Sequence, residues 1–242
     1  MNTSSNKLRK EPAELFGRLS KWRHFPDYQL ERRADLFFSM YLVECLQERT
    51  KHDLQELVIP EFPIKRGLIW DEDTTNKSVK VDYVAFDRDL ARIYFVELKT
   101  DLASRRPEQD TYLQRAASRP FSEILQGIKD IAVRTEEKRK YFHLLNALAA
   151  AGLIQVPSEL KSYLFPSVRP GVSGVLTRIE ILPVEPDRMV YYLQPDKKQD
   201  DTNVITFKEI ARIVGRYDDE LSRAFAASLM KWVEQPGSQS PE

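Results

Sequence analysis

Asp82, Glu97 and Lys99 are the residues of this chain whose types and spacing could do chemistry. Glu97 and Lys99 end the apolar run IYFVELK, where a buried strand should continue apolar. Side chains alternate faces along a strand, so Ile93, Phe95, Glu97 and Lys99 share one face and Tyr94, Val96 and Leu98 the other. The preceding run VKVDYVAF puts Lys80, Asp82, Val84 and Phe86 together. A hairpin with a four-residue loop at 88–91 sets Asp87 against Arg92 and Asp82 against Glu97. Opposed residues on one face have Cβ atoms ~4.5–5.5 Å apart, within reach of a single cation. A slip of one residue would turn Asp82 to the other face. Two facing carboxylates repel, and a hard cation such as Mg2+ compensates, with water and phosphate completing its shell. Lys99 could then hold or deprotonate a water, or offset charge on a phosphate. Such a set suits phosphodiester hydrolysis. The plainer reading is a wet hairpin end with exposed charges. Apolar residues on both faces of 93–98 count against it.

The elements that must carry these residues can be read from periodicity. Residues 28–49 predict an amphipathic helix with Leu30, Ala34, Phe37, Phe38, Tyr41, Leu42 and Cys45 on its buried stripe. Residues 57–70 read as extended chain at an edge or a bend, because Pro60 and Pro63 cannot donate to a ladder. Residues 71–78 form a polar loop, and strands follow near 79–86 and 92–99. A helix then opens at Pro107, with Tyr112, Leu113, Ala116 and Ala117 along one side. Pro120 interrupts it, and a second helix carries Ile124, Leu125, Ile128, Ile131 and Ala132 inward. A third covers the region of 135–154. Strands are expected at 178–184 and 188–195, with 184–201 as a hairpin of acidic tip, then helices near 207–215 and 218–234. Residues 235–242 have the composition of a frayed tail. No linker forces a split, so one mixed α/β domain over 1–234 is expected, its central mixed sheet flanked by helices.

Asp82, fourteen intervening residues and then Glu97-Leu98-Lys99 on an apolar strand resembles the PD-(D/E)xK nuclease superfamily. Val81 stands where the motif's name has proline. The resemblance covers about residues 28–135. It implies a restriction-endonuclease-like core, here with extra C-terminal strands and helices, and a motif hairpin preceded by a helix that often supplies another acid. Glu31 would be that acid, with Asp35 one turn later on the same side and Glu44 near the helix's other end. It further implies Mg2+ or Mn2+ at Asp82 and Glu97, Lys99 and Glu31 as the other catalytic residues, and nucleic acid, DNA first, as the partner.

Arg105 and Arg106 precede a helix start, where free N–H groups favour phosphate, and Gln109 lies on its first turn. All three are candidates to grip a nucleic-acid backbone, against the duller reading of a polar helix entry. Lys/Arg and Asp/Glu balance at 37 each, so any nucleic-acid role needs a local patch rather than overall basicity. His24, His52 and His143 lack metal-binding spacing, and the lone cysteine, Cys45, excludes an internal disulfide or thiolate cluster. No phosphate-binding P-loop, dinucleotide fingerprint or nucleophile elbow occurs. No membrane span or signal core is present, so a cytoplasmic protein is expected. A catalytically inactive module of the same fold, binding nucleic acid or a protein, is the competing expectation.

Overall fold

A computed structural model of the protein describes residues 11–197 and 201–234; the expected tail at 235–242 lies outside them. In chain order the elements are α1 (Pro12–Trp22), α2 (Glu31–Thr50), β1 (Leu54–Lys65), β2 (Ser78–Asp87), β3 (Arg92–Leu98), α3 (Pro107–Ser118), α4 (Phe121–Arg134), α5 (Lys138–Ala150), β4 (Ile154–Gln155), α6 (Leu160–Leu164), α7 (Val172–Leu176), β5 (Glu180–Ile181), β6 (Asp187–Gln194), β7 (Val204–Thr206), α8 (Phe207–Val214) and α9 (Glu220–Glu234). Short 3-10 turns cover Arg66–Leu68 and Leu102–Ser104. Among the described residues the main sheet has the order β1-β2-β3-β6-β7, and β4 pairs with β5 in a sheet of their own. The fold is mixed α/β, a five-stranded mixed sheet flanked by helices, as the sequence predicts. No described helix is long and apolar enough to cross a membrane.

The chain forms two compact units, each discontinuous in sequence. The first takes the described residues up to Lys51, then Leu98–Arg105, then those from Tyr192 onward; the second takes His52–Glu97 and Arg106–Tyr191.

In the second unit, β2 and β3 form the hairpin. Tyr83 pairs with Val96, Val84 with Phe95, Ala85 with Tyr94 and Phe86 with Ile93. The loop is 88–91, as expected, and Asp87 and Arg92 close it with an ion pair at 3.1 Å. Leu90 adopts a left-handed φ of 57° to make the turn. β1 runs antiparallel to β2 at the sheet edge, where Pro60 and Pro63 are tolerated. α4 packs on β1 with Ile124, Leu125, Ile128, Ile131 and Ala132 buried, the stripe read from sequence. The approach is close: a Cβ on Gly127 would lie 3.1 Å from the Lys65 Cβ.

In the first unit, α2 begins at Glu31 rather than at Tyr28 and ends where Lys51 turns left-handed at φ 63°. Ala34, Phe38, Tyr41, Leu42 and Cys45 are buried as expected. Phe37 is only half-buried, packed between Phe16 at 4.7 Å and Phe225 at 5.8 Å. That aromatic cluster continues through Phe38, Tyr41 and Trp232. A capping box at Thr206 and Glu209 starts α8.

Three further expectations are corrected. The run at 57–70 is extended only as far as Lys65, where β1 ends, and then turns through Arg66–Leu68. The strand at 178–184 shrinks to the two residues of β5. The hairpin at 184–201 does not form: β6 instead pairs parallel to β7, Tyr192 with Val204 and Gln194 with Thr206. Residues 198–200 of its acidic tip are outside the described residues.

Candidate metal centre

Extending the hairpin register by one pair sets Asp82 opposite Glu97, inside both strands. Glu97 is only 1% exposed, whereas Asp82 is half-buried. A carboxylate removed from water at this depth must be hydrogen-bonded to stay charged. Two donors from α3 meet it: Gln109 Nε2 donates to Oε2 at 2.6 Å and Tyr112 Oη to Oε1 at 2.9 Å. Pro107 opens this helix, and the spacing of three puts Gln109 and Tyr112 on one face.

The Tyr112 hydroxyl also lies 3.2 Å from the Lys80 carbonyl oxygen. Its single proton therefore faces two acceptors, and the charged one is favoured. Burial first, and then Glu97 and the Asp82 charge, push the Tyr112 phenol above its ordinary range against the opposing effect of Gln109, so it remains a donor.

The donor set fits a hard cation. An ionised carboxylate offers about four lone-pair sites, so each Glu97 oxygen can accept its hydrogen bond and still face a metal. Asp82 supplies the second carboxylate from the neighbouring strand. No group of three or more His, Cys, Asp or Glu able to hold a metal occurs among the described residues. A metal here would rely on two carboxylates plus water and substrate, the usual arrangement for Mg2+.

The remaining candidates lie mostly in the first unit. Lys99 follows directly on β3 and is 4% exposed. Its backbone N–H donates to the Leu193 carbonyl at 2.8 Å and its Nζ to the Leu98 carbonyl at 3.1 Å. Glu31 accepts from the Thr100 N–H at 3.2 Å and the Ser104 hydroxyl at 3.1 Å. The helix carboxylate is thus fastened to the stretch immediately after Lys99. Asp35 is exposed and accepts from the N–H of its neighbour Leu36 at 2.7 Å. Glu44 accepts the Tyr217 hydroxyl.

The three residues expected to grip a backbone have different surroundings. Arg105 lies 3.9 Å over the Tyr192 ring and pairs with Asp201 at 3.2 Å. Arg106, in the second unit, is exposed at the start of α3. Gln109 turns its amide to Glu97 instead. Tyr112 is the functional candidate that sequence reasoning placed in the core; the polar ends of a Gln-x-x-Tyr pair one turn apart are the signal that could have found it.

The other titratable groups have local roles. His52 Nδ1 lies 2.7 Å from the Tyr94 hydroxyl, which donates to buried Asp87 at 2.9 Å. Burial foremost pushes the Cys45 thiol up to about 12, so it is inert. Comparison of the chain with models of known families, with curated proteins and with solved structures gives no match in any of the three.

Proposed function

We propose that the chain is a metal-dependent nuclease, a phosphodiester hydrolase acting on DNA, built on a PD-(D/E)xK-like core. The observation that carries this reading is the register that opposes Asp82 to a buried, doubly hydrogen-bonded Glu97. The succession of helix, edge strand, motif hairpin and helix supports it too.

In this reading Asp82 and Glu97 hold Mg2+ or Mn2+. The bound ion supplies Lewis-acid polarisation of the phosphate and a more acidic water. Gln109 and Tyr112 fix the orientation of Glu97. Lys99, two residues further along the chain, holds the attacking water or offsets phosphate charge, and Glu31 assists by ordering the segment after Lys99. A cytoplasmic setting belongs to the same proposal.

The second reading is a catalytically inactive module that binds nucleic acid or a protein. One observation favours it: both Glu97 oxygens already accept hydrogen bonds from α3.

Cleavage of plasmid and single-stranded DNA with Mg2+ or Mn2+ separates the two. The nuclease reading expects metal-dependent cutting, reduced about 100-fold or more in Glu97→Ala and in Lys99→Ala. Cutting that survives both substitutions, or a wild type that binds no divalent ion in calorimetry, would sink it.

A further inference from the structure

Trp70 stands on a loop that is fixed from several sides, all within the second unit. The Arg66 N–H donates to the Lys77 carbonyl at 3.0 Å, and the Trp70 N–H to the Arg66 carbonyl at 2.9 Å. Arg115 Nη1 donates to the Ile69 carbonyl at 3.0 Å and Arg119 Nε to the Leu68 carbonyl at 2.8 Å. A Cβ on Gly67 would meet the Asp73 carbonyl oxygen at 2.6 Å, so the loop is closed too tightly there for any side chain. The indole is part-exposed, and the Arg66 guanidinium lies 5.1 Å from its ring centroid.

Trp70, Arg115, Ser118 and Arg119 line a cavity of about 690 Å³ together with Asp71 and Glu72. Gln109, Tyr112 and Arg115 follow one another at three-residue spacing on α3, and Arg119 is its extended C-cap, so this side of α3 leads from Glu97 to the cavity. From Tyr112 to Ser118 the helix rises about 9 Å at ~1.5 Å per residue. That is about three nucleotides of a stacked strand at ~3.4 Å each.

We propose that this cavity is a nucleobase site in which an unpaired base stacks on Trp70, so that the strand offered to Glu97 is single-stranded. The inference rests on the nuclease reading. A base is the group that fits, not a phosphate. Arg119 is already paired with Asp71 at 2.7 Å, and a second carboxylate, Glu72, lines the cavity. Carboxylates repel phosphate but accept from the exocyclic amines of bases. Every base offers a ring face to an aromatic side chain, whereas duplex bases are already stacked on one another.

The test is fluorescence anisotropy of the full chain in EDTA with a fluorescein-labelled 12-nucleotide single strand and the blunt duplex of the same sequence. Wild type should bind the single strand more tightly. Trp70→Leu should weaken that binding about 10-fold or more, since stacking on one base is worth ~1–3 kcal/mol. Trp70→Phe, which keeps a ring, should retain most of it, and quenching of tryptophan emission by the single strand should vanish in both. Equal weakening in the Phe and Leu variants, or none in Leu, overturns the base site; DNA cutting by the same wild-type protein once Mg2+ replaces EDTA leaves the nuclease reading standing. A wild type that neither binds nor cuts overturns both.

Discussion

Glu97 shows how much a single side chain depends on its neighbours. Its burial is tolerable because Gln109 and Tyr112 each give it a hydrogen bond, and partners of this kind set the orientation of a metal ligand. Tyr112→Phe removes one of them and leaves the ring in place. On the proposed metal-dependent reading it should weaken Mn2+ binding about 10-fold, within the ~10–100-fold range for lost outer-shell partners, as read by isothermal titration calorimetry; unchanged affinity would separate Tyr112 from the proposed metal site. A different tyrosine gives a pH signature. Tyr217 is exposed and donates to Glu44, and this hydrogen bond, with some desolvation, pushes its phenol from 10.0 up to about 12. The folded state then binds a proton that the unfolded chain has begun to release, so the stability it contributes is complete below pH 10 and is lost as pH rises from 10 towards 12. In urea unfolding, the advantage of wild type over Tyr217→Phe should shrink across that window. The opposition of Asp82 and Glu97 was legible because Asp87 and Arg92 bracket a four-residue loop and so fix the register by counting. The role of Tyr112 was not, because its ring obeys the helix's apolar period while its hydroxyl serves the site. Nor was the anchoring of Arg105, whose partners Tyr192 and Asp201 lie far along the chain.

Elements were legible where one period governs a long run. α4 shows most of its buried stripe, Phe121 and Gly127 being added by the structure, and the edge position of β1 is announced by its prolines. Pairing between distant strands is another matter. β6 and β7 lie parallel in the same sheet, and no local pattern distinguishes that from a hairpin when the connection is short. The five-residue helices α6 and α7 are too short to establish a period. The loop after β1 has one element-level consequence that can be measured. Gly67→Ala forces a methyl against the Asp73 carbonyl oxygen, so the turn must open. It should cost about 1–3 kcal/mol of stability in chemical denaturation, the usual range for overpacking, and lower the thermal midpoint accordingly. A neutral effect would mean that the loop is not held as tightly as its hydrogen bonds imply.

At the scale of the molecule, composition marks a boundary only when compact units follow one another along the chain. Here the chain passes from one unit to the other after Lys51, Glu97, Arg105 and Tyr191, so no single stretch of sequence corresponds to a unit. The first unit depends on both ends of the described chain. Phe225 of α9 stacks with Phe16 and meets Phe38 and Tyr41. A chain stopped at residue 219 lacks this helix and should bind a hydrophobic dye and lose cooperative thermal unfolding. If it kept a sharp transition, the aromatic cluster would not be the core of that unit.

The same closure has a consequence in time. Trp232 donates to Ser20 from 212 residues away. At ~5–20 residues per second on the ribosome, about 10–40 s separate the synthesis of those two residues. For that interval the apolar faces of α1 and α2 exist without α9 to cover them, while the antiparallel strands of the second unit already have their neighbours. The apolar faces of α1 and α2 therefore depend on whatever shields them, a chaperone or the exit tunnel's own surroundings, until translation delivers α9.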